Sequence, residues 1–330
     1  MSELCEPLIE VRNLKVNFYT YAGVVKAIDG VSFRICKGET YCLVGETGCG
    51  KSVTARALTK LIRPPGRIEE GQVIYYGRGK PVNLLELSEE ELREIRGAEI
   101  AYVFQDPHSA LDPLYTIGYQ ISETMAEHGR VKSIREGIVK AVEVLRSVLM
   151  PDPERRAKSY PHELSGGMKQ RAVIGTGLAN EPKLLIADEP TTALDATVQA
   201  QLMDLLMDLK EKRGLTILLI THNLGLVAQV CDRVAVMYAG NIVEEAPVEE
   251  LFENPLHPYT RALLRAVPNP KRRVVRLESI PGTVPNLIRP PPGCRFHPRC
   301  PHVMPVCRER KPPDFWKGPR HRVACWLYQE

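Results

Sequence analysis

The sequence has no apolar run long enough to cross a lipid bilayer. Even the apolar segment Leu215–Ile220 is far shorter than the roughly 20 residues that a membrane-spanning helix needs. The first ten residues also lack a basic stretch followed by an apolar one, which is the pattern of a secretory signal. We therefore expect the protein to lie in the cytoplasm and not to be embedded in a membrane.

Low-complexity segments and internal repeats are missing as well. Hydrophobic residues make up 44% of the chain and charged residues 25%, which is typical of a globular protein. Because 330 residues exceed the usual length of one domain, we expect one large α/β domain and a smaller appendage. Proline becomes dense after about residue 255, and the run Pro290–Pro292 is incompatible with regular structure. We place the boundary so that residues 1–254 form the large domain and residues 255–330 an irregular module.

Cysteine is present nine times, but no two cysteines form a tight C-x2–4-C pair. With an odd count and no secretory signal, this favours reduced thiols or metal ligands over a disulfide framework. The net charge of +4 is unevenly spread: residues 271–330 hold 13 Lys/Arg and 4 Asp/Glu, which leaves −5 for residues 1–270. A basic tail can bind nucleic acid or anionic lipid, can surround an anionic metal cluster, or can be a solvated charged face.

The first part of the chain has the pattern of a β-subdomain followed by a strand, a turn and a helix. Apolar and polar residues alternate over residues 8–18 and 31–35, which predicts antiparallel strands with one solvated face. Residues 41–44 predict a short buried strand. Residues 51–62 predict a helix that ends before Pro64 and Pro65.

The middle of the chain changes from helical to parallel-strand patterns. Residues 116–179 predict a helical insertion, whose apolar face we expect to contain Ile138, Val142, Leu145 and Leu149. Continuous apolar runs at 184–187 and 216–220 flank a helix that ends at Gly214, which is typical of parallel strands buried on both faces. The predicted core is a doubly wound α/β sheet.

A glycine-rich turn follows the strand at residues 41–44. The segment Gly45–Ser52 fits the pattern G-x-x-x-x-G-K-[ST] and lies between a predicted strand and a predicted helix, as phosphate binding requires. Glycines let backbone N–H groups turn inward around phosphate oxygens, Lys51 neutralises charge, and the Ser52 hydroxyl suits Mg²⁺. The motif predicts a nucleotide site and not an incidental turn.

Two carboxylates end the predicted strand 184–187. Phosphate ligands bind at the carboxyl edge of such a sheet, so we expect Asp188 to hold Mg²⁺ through water and Glu189 to polarise the water that attacks the γ-phosphate. His222 follows the next strand and is expected near the same phosphate. Each residue alone fits a solvated strand end, but their combination with a phosphate loop favours catalysis.

The segment Leu164–Arg171, LSGGMKQR, resembles the signature motif of the ATP-binding subunits of ABC transporters. Three further motifs of this family occur in the expected order along the chain, one before the signature and two after it. Gln105 resembles the Q-loop glutamine that senses Mg²⁺ and water, Ala193-Leu194-Asp195 resembles the D-loop, and His222 resembles the switch histidine. Met168 stands where many relatives have Gln, a change that removes no phosphate-contacting group.

The resemblance implies a P-loop ABC-type ATPase domain with a RecA-like core, an antiparallel β-subdomain and a helical subdomain at about residues 116–179. It implies ATP and Mg²⁺ as cofactors, with Glu189, His222 and Gln105 as catalytic residues and Ser52, Gln105 and Asp188 at the metal. An aromatic residue should stack on adenine; Phe18, Tyr19 and Tyr21 are candidates, and we prefer Tyr21. The implied nucleotide-binding residues are Tyr21, Gly45, Glu46, Thr47, Gly48, Cys49, Gly50, Lys51, Ser52, Val53, Ser165, Gly166, Gly167 and Asp195.

The signature residues Ser165, Gly166 and Gly167 open a helix and so form a second anion site. One chain cannot fold its signature onto its own phosphate loop. The resemblance accordingly implies a head-to-tail dimer with two ATP molecules between the subunits.

The tail resembles the C-terminal extension of oligopeptide and dipeptide importer subunits, through Asn254–Leu264 (NPLHPYTRALL) and the segments PGTVP and PRCP. Four of its cysteines, Cys294, Cys300, Cys307 and Cys325, have the spacing C-x5-C-x6-C-x17-C. The resemblance implies that they hold a 4Fe-4S cluster. Zinc is the rival, but structural zinc sites usually contain a tight cysteine pair. Cys49 stands in for the serine common in the phosphate loop, where its oxidation would block ATP binding.

Transport must be weighed against other uses of such ATPases. Only 60 positions separate Gln105 from Ser165, too few for the long coiled coil of DNA-repair relatives, and no second ATPase copy is present as in translation factors. A redox sensor or a nucleic-acid clamp built on the cysteine module is a minor alternative.

We expect a motor for peptide import, with nickel or oligosaccharide as alternative substrates. The expected partners are a second, paralogous ATPase subunit, two permease subunits and, indirectly, an external binding protein, with no nucleic acid. The expected place is the cytoplasmic face of a prokaryotic membrane.

Overall fold

The structure is a computed structural model that describes residues 5–191, 195–266 and 280–329. The chain divides into two compact units, which are Met1–Leu85 with Ile220–Glu330, and Glu86–Leu219. In the described ranges, no helix combines the length and apolar character needed to cross a bilayer.

The strands of the described residues are mostly short, apart from the first two. In chain order they are β1 (Pro7–Thr20), β2 (Gly23–Cys36), β3 (Thr40–Val44), β4 (Gly66–Tyr75), β5 (Val82–Asn83), β6 (Ile100–Val103), β7 (Leu184–Asp188), β8 (Thr216–Ile220), β9 (Arg233–Tyr238), β10 (Asn241–Pro247), β11 (Phe315–Trp316) and β12 (Arg322–Val323).

The helices range from one turn to five. In chain order they are α1 (Lys51–Leu58), α2 (Glu89–Ile95), α3 (Pro107–Ala110), α4 (Ile117–Glu127), α5 (Ile134–Ser147), α6 (Pro153–Arg156), α7 (Gly166–Leu178), α8 (Ala196–Arg213), α9 (Leu224–Val230), α10 (Val248–Glu253), α11 (Pro258–Arg265) and α12 (Pro305–Glu309).

The first unit contains the predicted antiparallel β-subdomain. β1 pairs with β2 and also with β4, in the strand order β2-β1-β4-β5. Val11 lies opposite Phe33 and Leu14 opposite Val31, and all four side chains are buried. The alternation read from the sequence therefore gave the buried face correctly, because a strand turns successive side chains to opposite faces.

The same unit contains a second sheet with the strand order β11-β12-β10-β9-β3. Every residue of β3 is buried, and β3 runs parallel to β9. A strand covered on both faces reads as a continuous apolar run, which is how residues 41–44 were predicted. Helix α1 follows β3 but ends at Leu58, four residues before the predicted end.

The C-terminal segment is more regular than the sequence suggested. The expectation of an irregular module is wrong for Arg322–Val323, because β12 pairs antiparallel with Glu244–Glu245 of β10, and β11 continues the sheet. Strands of two residues are too short to show alternation, so no pattern predicted them.

Basic side chains of this segment form ion pairs with acidic side chains elsewhere in the same unit. Arg295 and Lys311 both contact Asp29, at 3.2 and 3.3 Å. Arg322 contacts Glu245 at 2.6 Å, where both side chains are buried. Part of the basic charge of the segment therefore serves to attach it to β2 and β10.

The second unit holds the strands β8, β7 and β6 in that order, with β6 parallel to β7, and the predicted helical insertion. The predicted apolar face of α5 is partly wrong, since Ile138 and Leu149 are exposed. Leu145 is buried as predicted, and Gly137 and Ala141, which were not predicted, are buried as well. Gly137 faces Ser122 of α4 so closely that an added Cβ would lie 2.7 Å from the Ser122 Cβ. The small residue allows the helices to approach, and a search for large apolar residues overlooks it.

Four cysteines of the first unit are paired. Disulfides join Cys5 to Cys36 and Cys42 to Cys231, with Cα–Cα distances of 5.8 and 6.1 Å. The expectation of thiols at these four positions is wrong in the structure. Separations of 31 and 189 residues give no local signal of such pairs.

Candidate functional site

The phosphate loop connects β3 to α1 with a backbone that requires glycine. Gly45 has φ +149°, and a Cβ there would lie 2.2 Å from the Met237 carbonyl oxygen. Gly50 has φ +109°, and its Cβ would lie 2.6 Å from Ile28. Both positions combine a positive φ with a close neighbour, so only glycine fits without displacement. The motif glycines therefore set the shape of the loop.

Lys51 lies at the start of α1 and points back into the loop. Its Nζ donates to the carbonyl oxygens of Gly45 at 2.8 Å and Glu46 at 3.2 Å, and the residue is buried. A buried ammonium held by neutral carbonyls keeps its charge available to an anion in the loop. Cys49 is fully buried, and burial raises the pKa of its thiol. A protonated, inaccessible thiol resists oxidation, which argues against Cys49 as a redox switch.

Glu46, a loop residue of the implied set, is held by two residues that the sequence reasoning missed. Its backbone N–H donates to the Tyr259 hydroxyl at 2.9 Å. Its carboxylate accepts two hydrogen bonds from Arg299, at 2.8 and 3.1 Å. Tyr259 lies in α11 and Arg299 in the cysteine-rich segment, so the phosphate loop is in direct contact with the C-terminal region. No local sequence signal links residues 253 positions apart.

His222 belongs to the same unit as the phosphate loop. The Thr221 N–H donates to the Leu43 carbonyl at 3.3 Å, which places His222 beside the end of β3, where the loop begins. The Asn223 side chain accepts from the Leu226 N–H at 3.2 Å and caps α9. The ring of His222 is exposed at this edge of the sheet.

The second unit brings Asp188, Glu189 and Gln105 together. Asp188 ends β7, is buried, and accepts a hydrogen bond from the Tyr102 hydroxyl at 2.8 Å. Gln105 follows β6, and its Nε2 donates to the Glu189 carboxylate at 3.1 Å. Glu189 has φ +47°, a left-handed conformation that a non-glycine residue rarely adopts and that is frequent at functional sites. The two strands thus present an amide and two carboxylates at one edge.

The signature residues open α7 as predicted. Ser165 caps this 13-residue helix by accepting from the Met168 N–H at 3.4 Å. Ser165 and Gly166 are exposed, and nothing lies within 4 Å of a Cβ placed on Gly166. The helix N-terminus is therefore open for an anion, with partial positive charge from its free N–H groups.

The D-loop prediction is only partly covered by the structure. Ala193 and Leu194 lie outside the described residues. Asp195 caps α8 by accepting from the N–H groups of Thr197 and Val198, at 3.1 and 3.0 Å. Its carboxylate stabilises the helix start.

The three aromatic candidates for adenine differ in their surroundings. The Tyr19 hydroxyl donates to Glu69 at 2.9 Å, and the Arg67 guanidinium lies 5.2 Å from its ring centre. Phe18 packs on Gly66. Tyr21 is fully exposed in the turn between β1 and β2. An exposed ring is free to stack on a flat ligand, in line with the preference for Tyr21.

The expected iron–sulfur site is not confirmed. The thiols of Cys294, Cys300, Cys307 and Cys325 are free. Burial, and then the charges of the other three thiols, raise the pKa of Cys325 to about 12, which reflects their proximity. Across residues 5–191, 195–266 and 280–329, however, no group of three or more His, Cys, Asp or Glu side chains is placed to hold a metal ion.

Comparison with known families defines the class of protein. The family model described as ABC transporter matches residues 28–192, and that described as Oligopeptide/dipeptide transporter, C-terminal region, matches residues 243–307. Among solved structures, the cassette MJ0796, determined as a dimer bound to ADP and Pi, has a TM-score of 0.65 at 28% identity. The match covers 73% of this chain and 98% of that one.

Two relatives of similar length indicate which family of ABC transporters the chain resembles. A probable peptide ABC transporter ATP-binding protein of Sinorhizobium fredii is 51% identical, with 98% of this chain and 96% of the relative covered. The dipeptide transport ATP-binding protein DppD of Bacillus subtilis is 45% identical, with the same coverage. The chain belongs to the ATP-binding subunits of ABC transporters, in the oligopeptide/dipeptide family, and is an ABC-type ATPase.

Proposed function

We propose that this protein hydrolyses ATP to power the import of dipeptides or oligopeptides through a separate pair of membrane permease subunits. The observation that carries the proposal is the contact between Gln105 and Glu189 at the end of β7, beside the buried Asp188. This hydrogen bond connects Glu189, the carboxylate proposed to polarise the attacking water, with Gln105, the amide proposed to sense Mg²⁺. The names of the relatives, which are peptide and dipeptide transport proteins, support the substrate class.

The proposed chemistry assigns each residue one role. The N–H groups of Gly45–Val53 and the charge of Lys51 bind the phosphates, and Tyr21 stacks on adenine. Ser52, Gln105 and Asp188 would hold Mg²⁺, which neutralises phosphate charge when bound. Glu189 accepts a proton from the attacking water, and His222 donates a hydrogen bond to the γ-phosphate.

The proposed assembly follows from the exposed signature. Ser165, Gly166 and Gly167 bind the nucleotide of a second ATPase subunit, with Asp195 at the junction. We assign the second subunit to a paralogous chain and the pair to the cytoplasmic face of a prokaryotic membrane, with an external binding protein delivering the substrate. Residues 1–254 would form the ATPase domain and residues 255–330 the extension.

The catalytic proposal is tested with Glu189→Gln. We expect Mg-ATP binding to remain while hydrolysis falls by about 100-fold or more, because only the general base is lost. Binding is measured by titration calorimetry and hydrolysis by phosphate release. Near-normal hydrolysis by the variant would refute the assignment.

The transport proposal is tested with the reconstituted complex. We expect the isolated subunit to be mainly monomeric with low ATPase activity, which rises when the paralogous ATPase and both permeases are added. Uptake of labelled dipeptide is compared with uptake of nickel and of an oligosaccharide. A fully active homodimer in solution contradicts the paralogous pair, and uptake of nickel or sugar alone contradicts the peptide substrate.

We also propose that Cys294, Cys300, Cys307 and Cys325 bind a 4Fe-4S cluster. The four free thiols, the raised pKa values of Cys294 and Cys325 beside the other cysteines, and the family resemblance support it. Anaerobically purified protein should contain about four irons per chain. Zinc without iron would refute the proposal.

A further inference from the structure

Glu46 has partners for all three of its polar groups. The N–H donates to Tyr259, the carbonyl oxygen accepts from Lys51, and the carboxylate accepts two bonds from Arg299. The residue therefore cannot rotate without breaking several hydrogen bonds. Because Glu46 is part of the phosphate loop, its partners fix the first part of that loop.

Arg299 is itself held in a single position. Its guanidinium has five N–H donors. Besides the two bonds to Glu46, it donates to the carbonyls of Pro281 at 2.8 Å and Ile280 at 3.3 Å and to the Tyr238 hydroxyl at 3.3 Å. Its side chain is 4% exposed, and it lies 5.7 Å from the centre of the Tyr238 ring. All five donors are satisfied in this one arrangement.

Tyr259 is equally fixed. It is fully buried and packs against Tyr238 and Phe296, with ring centres 4.7 and 5.4 Å away. Burial raises the pKa of Tyr259 far above its usual value, so the hydroxyl is always protonated. Both partners of Glu46 thus contact Tyr238 of β9, which joins them in one cluster.

The charge of Glu46 makes this arrangement relevant to nucleotide binding. A carboxylate in a loop that binds polyphosphate repels the ligand and attracts the Lys51 ammonium. The paired guanidinium neutralises that carboxylate and holds it in a bidentate geometry. Without it, Glu46 would be left partly buried and unpaired beside the site.

We propose that Arg299 and Tyr259 are positioning residues for nucleotide binding: Arg299 holds the Glu46 carboxylate so that its charge neither repels the phosphates nor engages Lys51, and Tyr259 holds the Glu46 backbone N–H. The proposal rests on the proposed role of the phosphate loop. It makes the affinity for ATP depend on a segment more than 200 residues away in the sequence.

The test is a charge rescue in the full-length protein. We expect Arg299→Gln to weaken Mg-ATP binding by at least about tenfold, since truncating one partner of a buried charge pair leaves the other unpaired. Adding Glu46→Gln should restore most of the affinity, because no unpaired carboxylate remains. In hydrolysis assays we expect KM to rise in Arg299→Gln and to return towards the wild-type value when Glu46→Gln is added, with kcat little changed in both. Arg320→Gln, the same change at an exposed arginine of the same segment, is the matched control.

The outcomes separate a positioning role from a structural one. A general loosening of the segment would lower affinity in Arg299→Gln without rescue by Glu46→Gln, and this would overturn the proposal, as would wild-type affinity in Arg299→Gln. Should Arg299→Gln fail to fold, Tyr259→Phe removes only the acceptor for the Glu46 N–H and should weaken binding several-fold; unchanged affinity there also overturns it. If the wild-type protein and Lys51→Ala bind ATP equally, the phosphate-loop proposal fails instead.

Discussion

Arg322 offers a direct measure of how firmly the C-terminal strand β12 is attached to the rest of its unit. Its guanidinium contacts Glu245 and Asp314 at 2.6 Å and donates to the Ser32 carbonyl. Glu245 is buried and is also paired with Arg233. We predict that Arg322→Met leaves Glu245 with one cation in place of two.

The expected loss follows from this geometry. Removing one partner of a buried ion pair costs about 3–5 kcal/mol, because the remaining charge stays away from water. Since Arg233 still pairs with Glu245, we expect the lower end, about 3 kcal/mol of the free energy of unfolding. Arg146, whose pair with Glu154 has both side chains more than half exposed, provides the control: Arg146→Met should have no measurable effect.

The assay uses a property of the sequence. The two tryptophans of the chain, Trp316 and Trp326, lie on either side of Arg322. Urea unfolding followed by tryptophan fluorescence therefore reports on this segment directly. A loss below about 1 kcal/mol would refute the reasoning, since it would mean that the pair is hydrated or that Arg233 alone suffices.

The pH dependence gives a second check on the same pair. Burial alone would raise the pKa of Glu245, but the charges of Arg322 and Arg233 hold it below its usual value. A carboxyl group with a lowered folded pKa contributes stability above its unfolded pKa of about 4.3 and loses it as the pH falls through the folded value. The difference between wild type and Arg322→Met should therefore shrink below about pH 4. A constant difference would contradict this account.

Two further predictions concern other buried groups. Lys51→Ala should lower the affinity for Mg-ATP by at least about tenfold, because the loop loses its buried cation, whereas Lys80→Ala at an exposed lysine should bind as wild type in titration calorimetry. Burial lowers the pKa of His257 to about 4, so the neutral ring contributes stability above about pH 6.5 that is lost as the pH falls towards 4. His257→Asn keeps the cap of α11 without the titration and should flatten this loss in urea unfolding at pH 7, 5.5 and 4.5; equal slopes would contradict the prediction.

Local patterns predicted the elements whose chemistry is contiguous in the chain. The strand, glycine turn and helix around Lys51 were readable because a phosphate is bound by successive backbone N–H groups. The capping box of Ser88 and Glu91 at the start of α2 is another local pattern of this kind, because its two residues lie only three positions apart. Patterns were less reliable where small residues or very short strands decide the packing, as at Gly137 and β12.

The sequence by itself determined the class of this protein, because the phosphate loop, the carboxylates after β7 and the signature are short runs whose residue types carry their own chemistry. Only the tertiary structure decided which residues hold those runs in place. The contact of Arg299 with Glu46 joins positions 253 residues apart, and the disulfide of Cys42 with Cys231 joins positions 189 apart. Such contacts depend on how buried charges and thiols meet after the chain has folded, and no periodicity or motif encodes them locally.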